Sequence, residues 1–172
     1  MKSIVIYFSR PDENYVDGVM KYINKGNTEV IAEYIKKECG SELFKVERDP
    51  DYAKDYRTCM KESKVEQDEN QRPNLKNYLE SIADYDVVFI GAPVYWQTMP
   101  QPMFTCLEKL DFKEKTIMPF VTHEGSEFGR VIKDIEKIAK GACVKPGLAI
   151  KGSSVKNSKL KVLNWIHDNL KA

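Results

Sequence analysis

Several things that common chemistries require are scarce in this sequence. The two histidines, His123 and His167, lie far apart and neither belongs to a metal-binding pair, so no metal is expected. The four cysteines, Cys39, Cys59, Cys106 and Cys143, form no C-x-x-C unit, which excludes a dithiol redox motif and a zinc ribbon. The apolar run after Met1, Ile4 to Phe8, is too short for a signal-peptide core and no small-residue cleavage site follows it. With scattered thiols, this leads us to expect reduced cysteines in a cytoplasmic protein. No stretch approaches the roughly 20 apolar residues of a membrane span, so no membrane insertion is expected. The net charge is only +1, which gives no bulk field for nucleic acid. Neither GK[ST] nor GxGxxG occurs, so the phosphate-loop NTPases and the usual dinucleotide fingerprint are excluded.

What is present is ordinary for a globular chain: 172 residues, 42% hydrophobic and 31% charged. That length suits one domain, 1–172. Near-continuous apolar runs recur at "SIVIYF" (3–8), "YDVVFIGAP" (85–93) and "KTIMPFVTH" (115–123). They suit strands buried on both faces of a parallel sheet. "SELFKVE" (41–47) alternates and reads as peripheral, and "CVKPGLAI" (143–150), interrupted by Pro146 and Gly147, reads as an edge or bulged strand.

Helical patterns fall between these runs. Asn27 and Thr28 are placed to cap a helix, with Val30, Ile31, Tyr34 and Ile35 on its face and Gly40 as its stop. Helical spacing also predicts helices in "PNLKNYLESI", "PQPMFTCLEKL", "GRVIKDIEKIAK" and "SKLKVLNWIHDNL". The charged stretch 49–72 predicts a partly helical surface excursion without chemistry of its own. The alternation implies an α/β doubly wound sandwich, three layers around a parallel sheet.

In such a sheet ligands bind beyond the carboxyl ends of the strands. Three loops there carry informative residues. The first has Ser9 and Arg10 after strand one, then an insert at 11–25, then Gly26, Asn27 and Thr28 at the next helix start. A helix N-terminus with hydroxyl and amide side chains can hold a phosphate without lysine; a plain helix cap is the alternative. The second, Pro93, Val94, Tyr95 and Trp96, puts two large aromatics at a strand end, suited to a flat ring or simply to loop packing. The third holds His123, Glu124, Gly125 and Ser126, polar edges on a flexible backbone. No side chain in these loops forms a catalytic acid–base or nucleophilic set. Together the loops match a phosphate, a flat ring and polar ring edges.

The stretches "YFSR…GNTEVIAEYI", "YDVVFIGAPVYWQTMPQPMFTCLEKLDF" and "KTIMPFVTHEGSEFGR" resemble the flavodoxin-like family of FMN-binding proteins. The resemblance covers most of the chain and is weakest over 49–72. It implies a five-stranded parallel sheet of order 2-1-3-4-5. It implies an FMN phosphate held by Ser9, Asn27 and Thr28, with Arg10 and Gly26 alongside. It also implies a flavin ring between Pro93–Trp96 and His123–Ser126. The Glu124–Gly125 or the Pro93–Val94 backbone would then face the reactive ring edge. The insert departs from the family's compact first loop. It is expected to fold over the phosphate or ribityl chain, with Asn14 or Tyr15 as contacts, or to form a flap. The implied function is electron transfer through non-covalently bound FMN. The alternative is an NAD(P)H-dependent quinone or flavin reductase on the same fold, favoured by the near-neutral charge. The expected partner is a redox protein or a small acceptor such as a quinone, with the chain a monomer or weak dimer.

Overall fold

In a computed structural model, residues 1–171 are described. The order is β1 (Ser3–Tyr7), β2 (Asp12–Val16), β3 (Val19–Ile23), α1 (Asn27–Cys39), β4 (Glu42–Lys45), α2 (Tyr56–Asp68), β5 (Val87–Pro93), α3 (Gln101–Leu107), β6 (Thr116–His123), α4 (Val131–Ile138), β7 (Cys143–Val144), β8 (Leu148–Lys151) and α5 (Lys159–Leu170). A 3-10 turn, Gly152–Asn157, links β8 to α5.

The main sheet is parallel in the order β4-β1-β5-β6-β7, with β8 also on β6. This is the expected 2-1-3-4-5 arrangement with its last place shared by two strands. Ile117 pairs with Val144 and Phe120 with Leu148, so residues 118–119 face residues 145–147. One extra residue, at the Pro146–Gly147 interruption, makes the anticipated bulge.

Alternation along β1 sends Ile4 and Ile6 to one face and Val5 and Tyr7 to the other. The first face carries α2, α3 and α4 through Cys59, Met103, Leu107, Val131 and Ile135. The second carries α1 and α5 through Ile31, Ile35, Val162 and Trp165. Helices thus cover both faces.

Two expectations need correction. Residues 73–82 form no helix. Their backbone pairs instead with the preceding loop: Lys76 N donates to Glu47 O (2.9 Å) and Asp49 N to Asn74 O (2.8 Å), around an Arg48–Leu75 bridge. Tertiary pairing overrides local propensity there. The helical layer is filled by α2, from the charged stretch read as a peripheral excursion. Asp55 caps it, accepting from Thr58 N at 2.8 Å. Its buried residues, Cys59, Ser63 and Glu66, are mostly polar, which hid the stripe.

The 11–25 insert is a hairpin of β2 and β3. Asp17 (φ 51°) and Gly18 (φ 86°) form its turn, the Asp-Gly pair that suits a two-residue hairpin loop.

Candidate functional site

The carboxyl ends of β1, β5 and β6 meet in an open cleft of about 100 Å³. Of the residues singled out in the sequence, Ser9, Arg10, Asn27, Thr28, Pro93, Val94, Tyr95, His123 and Glu124 line it. Asn14, Tyr15, Tyr56, Met60 and Thr122 complete the wall. A second depression shares Tyr56, Met60 and Val94 with the cleft and adds Arg57, Lys61, Trp96, Gln97 and Ser126. The two adjoin along Tyr56, Met60 and Val94 and together form a trough from the start of α1 to Ser126.

At the α1 end, Ser9 Oγ accepts from Glu29 N at 3.0 Å, and Val30 N reaches Gly26 O at 3.4 Å. Helix geometry leaves the earlier amides, those of Asn27 and Thr28, without intrahelical acceptors. Thr28 Oγ1 lies 2.8 Å from Thr122 Oγ1, tying the first loop to β6. Gly26 packs directly behind Ser9 and Arg10, so the two ends of the interrupted loop are one structure.

Arg10 is buried but is not aimed as a free cation. Its guanidinium donates to the carbonyls of Glu13 (2.6 Å), Ala53 (2.8 Å) and Lys54 (2.5 Å). It therefore anchors the hairpin to the segment before α2. Its Nε, and Glu124 Oε1, are buried polar atoms without a hydrogen-bond partner among the described residues. Both belong to cleft residues, and Glu124 Oε1 is packed against Gly152 beside the Asn27 side chain.

The aromatic loop differs from expectation. Tyr95 is buried in an edge-to-face cluster with Phe8 (6.0 Å between centroids) and Tyr52 (6.4 Å). Burial pushes its phenol well above the usual tyrosine range. It lines the cleft as part of its floor. Trp96 and Gln97 have φ of 51° and 71°, the centre of a tight Tyr95–Thr98 turn. That turn directs the Trp96 indole onto α2, where Nε1 donates to Met60 O (3.0 Å) and Ser63 Oγ (3.1 Å). Trp96 therefore lines only the second depression.

In the third loop His123 Nδ1 accepts from the amides of Gly125 (3.0 Å) and Glu127 (3.2 Å). Two donors on Nδ1 assign the ring proton to Nε2, which faces Glu127 at 3.6 Å. His123 is thus the scaffold of its loop, holding Gly125 at φ 135°. The second and third loops are locked together: Arg130 N donates to Gln97 O at 2.6 Å and Thr98 Oγ1 to Asp134 Oδ2 at 2.5 Å.

The hairpin crosses above the trough. At one end Glu13 Oε1 accepts from Tyr56 N at 3.0 Å, at the start of α2. At the other, Asp17 N donates to Glu124 Oε2 at 3.1 Å, and Lys151 Nζ pairs with Asp17 at 3.0 Å. Asn14 spends its side-chain amide on the carbonyls of Arg10 and Pro11, both at 3.2 Å. Tyr15 lines the cleft with its ring against Tyr56. Tyr56 and Met60, on α2, are the lining residues that sequence reasoning missed, because the 49–72 stretch reads as a surface excursion without chemistry of its own.

A parallel α/β sheet with a polar cleft at its switch point, opening onto an apolar shelf, defines a nucleotide-type cofactor fold. The family model for flavodoxins matches residues 18–169. The chain belongs to the flavodoxin family. It is similar across 99% of its length to a protein of Bacteroides eggerthii assigned as a flavoprotein, at 26% identity, 99% coverage of that chain and a TM-score of 0.77. The flavoprotein of Lactobacillus acidophilus NCFM, crystallised in complex with FMN, shares the fold at 20% identity and TM-score 0.62, with 92% of this chain and 98% of that one covered. Oxidised flavodoxin 1 of Bacillus cereus shares it at 15% identity and TM-score 0.53, covering 96% and 97%. No curated protein matches in sequence.

Proposed function

We propose that the trough binds FMN non-covalently and that the chain transfers electrons through it. The observation that carries this is the continuity of the trough: helix-terminal amides and hydroxyls at one end, an apolar shelf at the other. The residues fit such a group. Asn27 and Thr28 would offer amides to the phosphate, with the Ser9 hydroxyl beside them. Val94, Met60 and Ser126 would form the shelf for the ring. FMN, when bound, supplies the one- and two-electron chemistry. The chain's own part is to orient it, to keep water from the shelf, and to hold the second and third loops at fixed separation.

The near-neutral charge and the hairpin roofing the trough favour a second reading, an NAD(P)H-dependent quinone or flavin reductase. We place the protein in the cytoplasm, as a single domain acting with a redox protein or small acceptor, as a monomer or weak dimer. Four unpaired cysteines support that compartment, and the shared central sheet supports one domain. No helix among the described residues is long and apolar enough to cross a membrane.

The test is the visible spectrum of the purified protein. A yellow protein releasing FMN rather than FAD on denaturation is expected; a colourless one that takes up no added FMN overturns the proposal. Steady NADPH oxidation with a quinone, above the free-flavin background, would select the reductase.

A further inference from the structure

Tyr95 and Trp96, the aromatics that sequence pattern assigns to a flat ligand, are both engaged elsewhere. Tyr95 is enclosed by Phe8 and Tyr52, and the Trp96 indole N–H is spent on α2. Two other aromatic rings face the cleft. Tyr15 sits on β2, between the two points where the hairpin is fastened, Glu13 to the Tyr56 amide and Asp17 to Glu124 and Lys151. Tyr56 opens α2, and its backbone is fixed by the same Glu13 carboxylate.

The two rings lie 6.2 Å apart at an interplanar angle of 32°. This is a tilted stack, closer to parallel than the edge-to-face contacts in the core beneath. Tyr15 is 40% exposed and Tyr56 partly so, so each keeps apolar face that a ligand could cover. Met60 stands one helical turn from Tyr56 on the same wall, adding a deformable apolar surface. Burial raises the Tyr56 phenol above the ordinary tyrosine value.

We propose that Tyr15 and Tyr56 form the aromatic cover of the flavin ring, and that the hairpin insert exists to deliver Tyr15 to it. The inference rests on the FMN reading above. The insert thereby replaces the loop aromatics, which the fold uses as core and as an α2 anchor. A simple cap on the phosphate would not need a tyrosine set against Tyr56, the ring on the wall that the two depressions share.

The experiment measures FMN affinity and the fluorescence of bound FMN, which stacking on tyrosine quenches. Tyr15→Leu and Tyr56→Leu should each weaken binding roughly tenfold and restore part of the fluorescence. Tyr15→Phe and Tyr56→Phe should keep both properties. Tyr22→Leu, an exposed tyrosine on the outer strand of the same hairpin and outside the cleft lining, should match the parent. Leucine variants that bind and quench like the parent overturn the proposal while leaving the FMN reading intact. A parent that binds no FMN overturns the reading itself, and the proposal with it. Because a leucine variant can fail to fold, the unaltered protein gives a second measurement. Nitration of Tyr15 by tetranitromethane, mapped by mass spectrometry, should be suppressed several-fold by FMN. Equal nitration with and without FMN also overturns the proposal.

Discussion

Gly26 packs so closely on Ser9 that a methyl group at its Cα would lie 2.1 Å from Ser9 Oγ and 2.8 Å from the Arg10 amide nitrogen. Its φ of −63° is open to any residue, so close approach, and not backbone freedom, explains the glycine. Gly26→Ala must therefore push Ser9 away from the start of α1. The expected cost is about 1–3 kcal/mol of stability, as for other overpacked sites, and at least a tenfold loss of FMN affinity. Denaturant midpoints and flavin titration check both, and an alanine variant that binds FMN like the parent would remove the phosphate assignment from this loop.

Trp96 has its indole N–H on Met60 O and its carbonyl on Gln67 Nε2 at 3.0 Å. It thus helps to fasten the second loop to α2 and lines only the outer depression. Trp96→Ala should weaken FMN binding about two- to fivefold, less than either Tyr15→Leu or Tyr56→Leu, with a small change in the flavin spectrum. A loss larger than that at Tyr56, read in the same titration, would put the ring over Trp96 and against the cover proposed above.

Helix α2 is held down by an ion pair. Arg48 Nε donates to Glu66 Oε1 at 2.6 Å, the other Glu66 oxygen accepts from the Tyr52 hydroxyl, and Arg48 stacks on the Tyr52 ring at 4.5 Å. The Glu66 side chain is 3% exposed. Removing it alone leaves Arg48 without its counter-charge, so Glu66→Ala should cost about 3–5 kcal/mol. The joint Arg48→Met/Glu66→Leu change should recover much of that. Because Tyr56 rides on α2, FMN affinity should fall with Glu66→Ala even where the protein stays folded. Urea melts of the two variants decide this, and an equal loss in both would mean that the pair's own attraction, not the stranded charge, sets the cost.

The sheet was legible because its strands are buried on both faces and read as unbroken apolar runs; even the Pro146–Gly147 bulge could be anticipated. α2 was not legible, since Ser63 and Glu66 bury polar groups that are satisfied by Arg48, Tyr52 and Trp96, partners distant in sequence. The false helix at 73–82 has a genuine apolar spacing, but Leu75 is committed to a bridge with Arg48. The three loops do meet at one cleft, but the directions of Arg10, Tyr95 and Trp96 were not legible, the last because its indole is turned onto α2. Arg10 and Tyr95 carry suitable chemistry, yet their directions depend on tertiary contacts with Ala53, Lys54, Phe8 and Tyr52. The hairpin did have a signal, the Asp17–Gly18 pair between two alternating segments.

Burial raises the thiol pKa of Cys59 to about 11 and that of Cys106 to about 12. In the unfolded chain both thiols ionise near the ordinary value, about 8.5. Between these values the folded state holds more protons than the unfolded state, so stability must fall as pH rises. This source gives no pH dependence below about pH 8. The buried phenols of Tyr52 and Tyr95, also raised by burial, add to the loss above about pH 10. The urea midpoint should therefore decline from pH 8 to 10.5, less steeply in Cys59→Ala than in the parent. Alkylation at pH 8 should follow the same order, with exposed Cys143 modified first and Cys59 and Cys106 only on unfolding. A midpoint that holds steady or climbs over that interval would show that these thiols are hydrated in the folded protein and that α2 is not closed over Cys59.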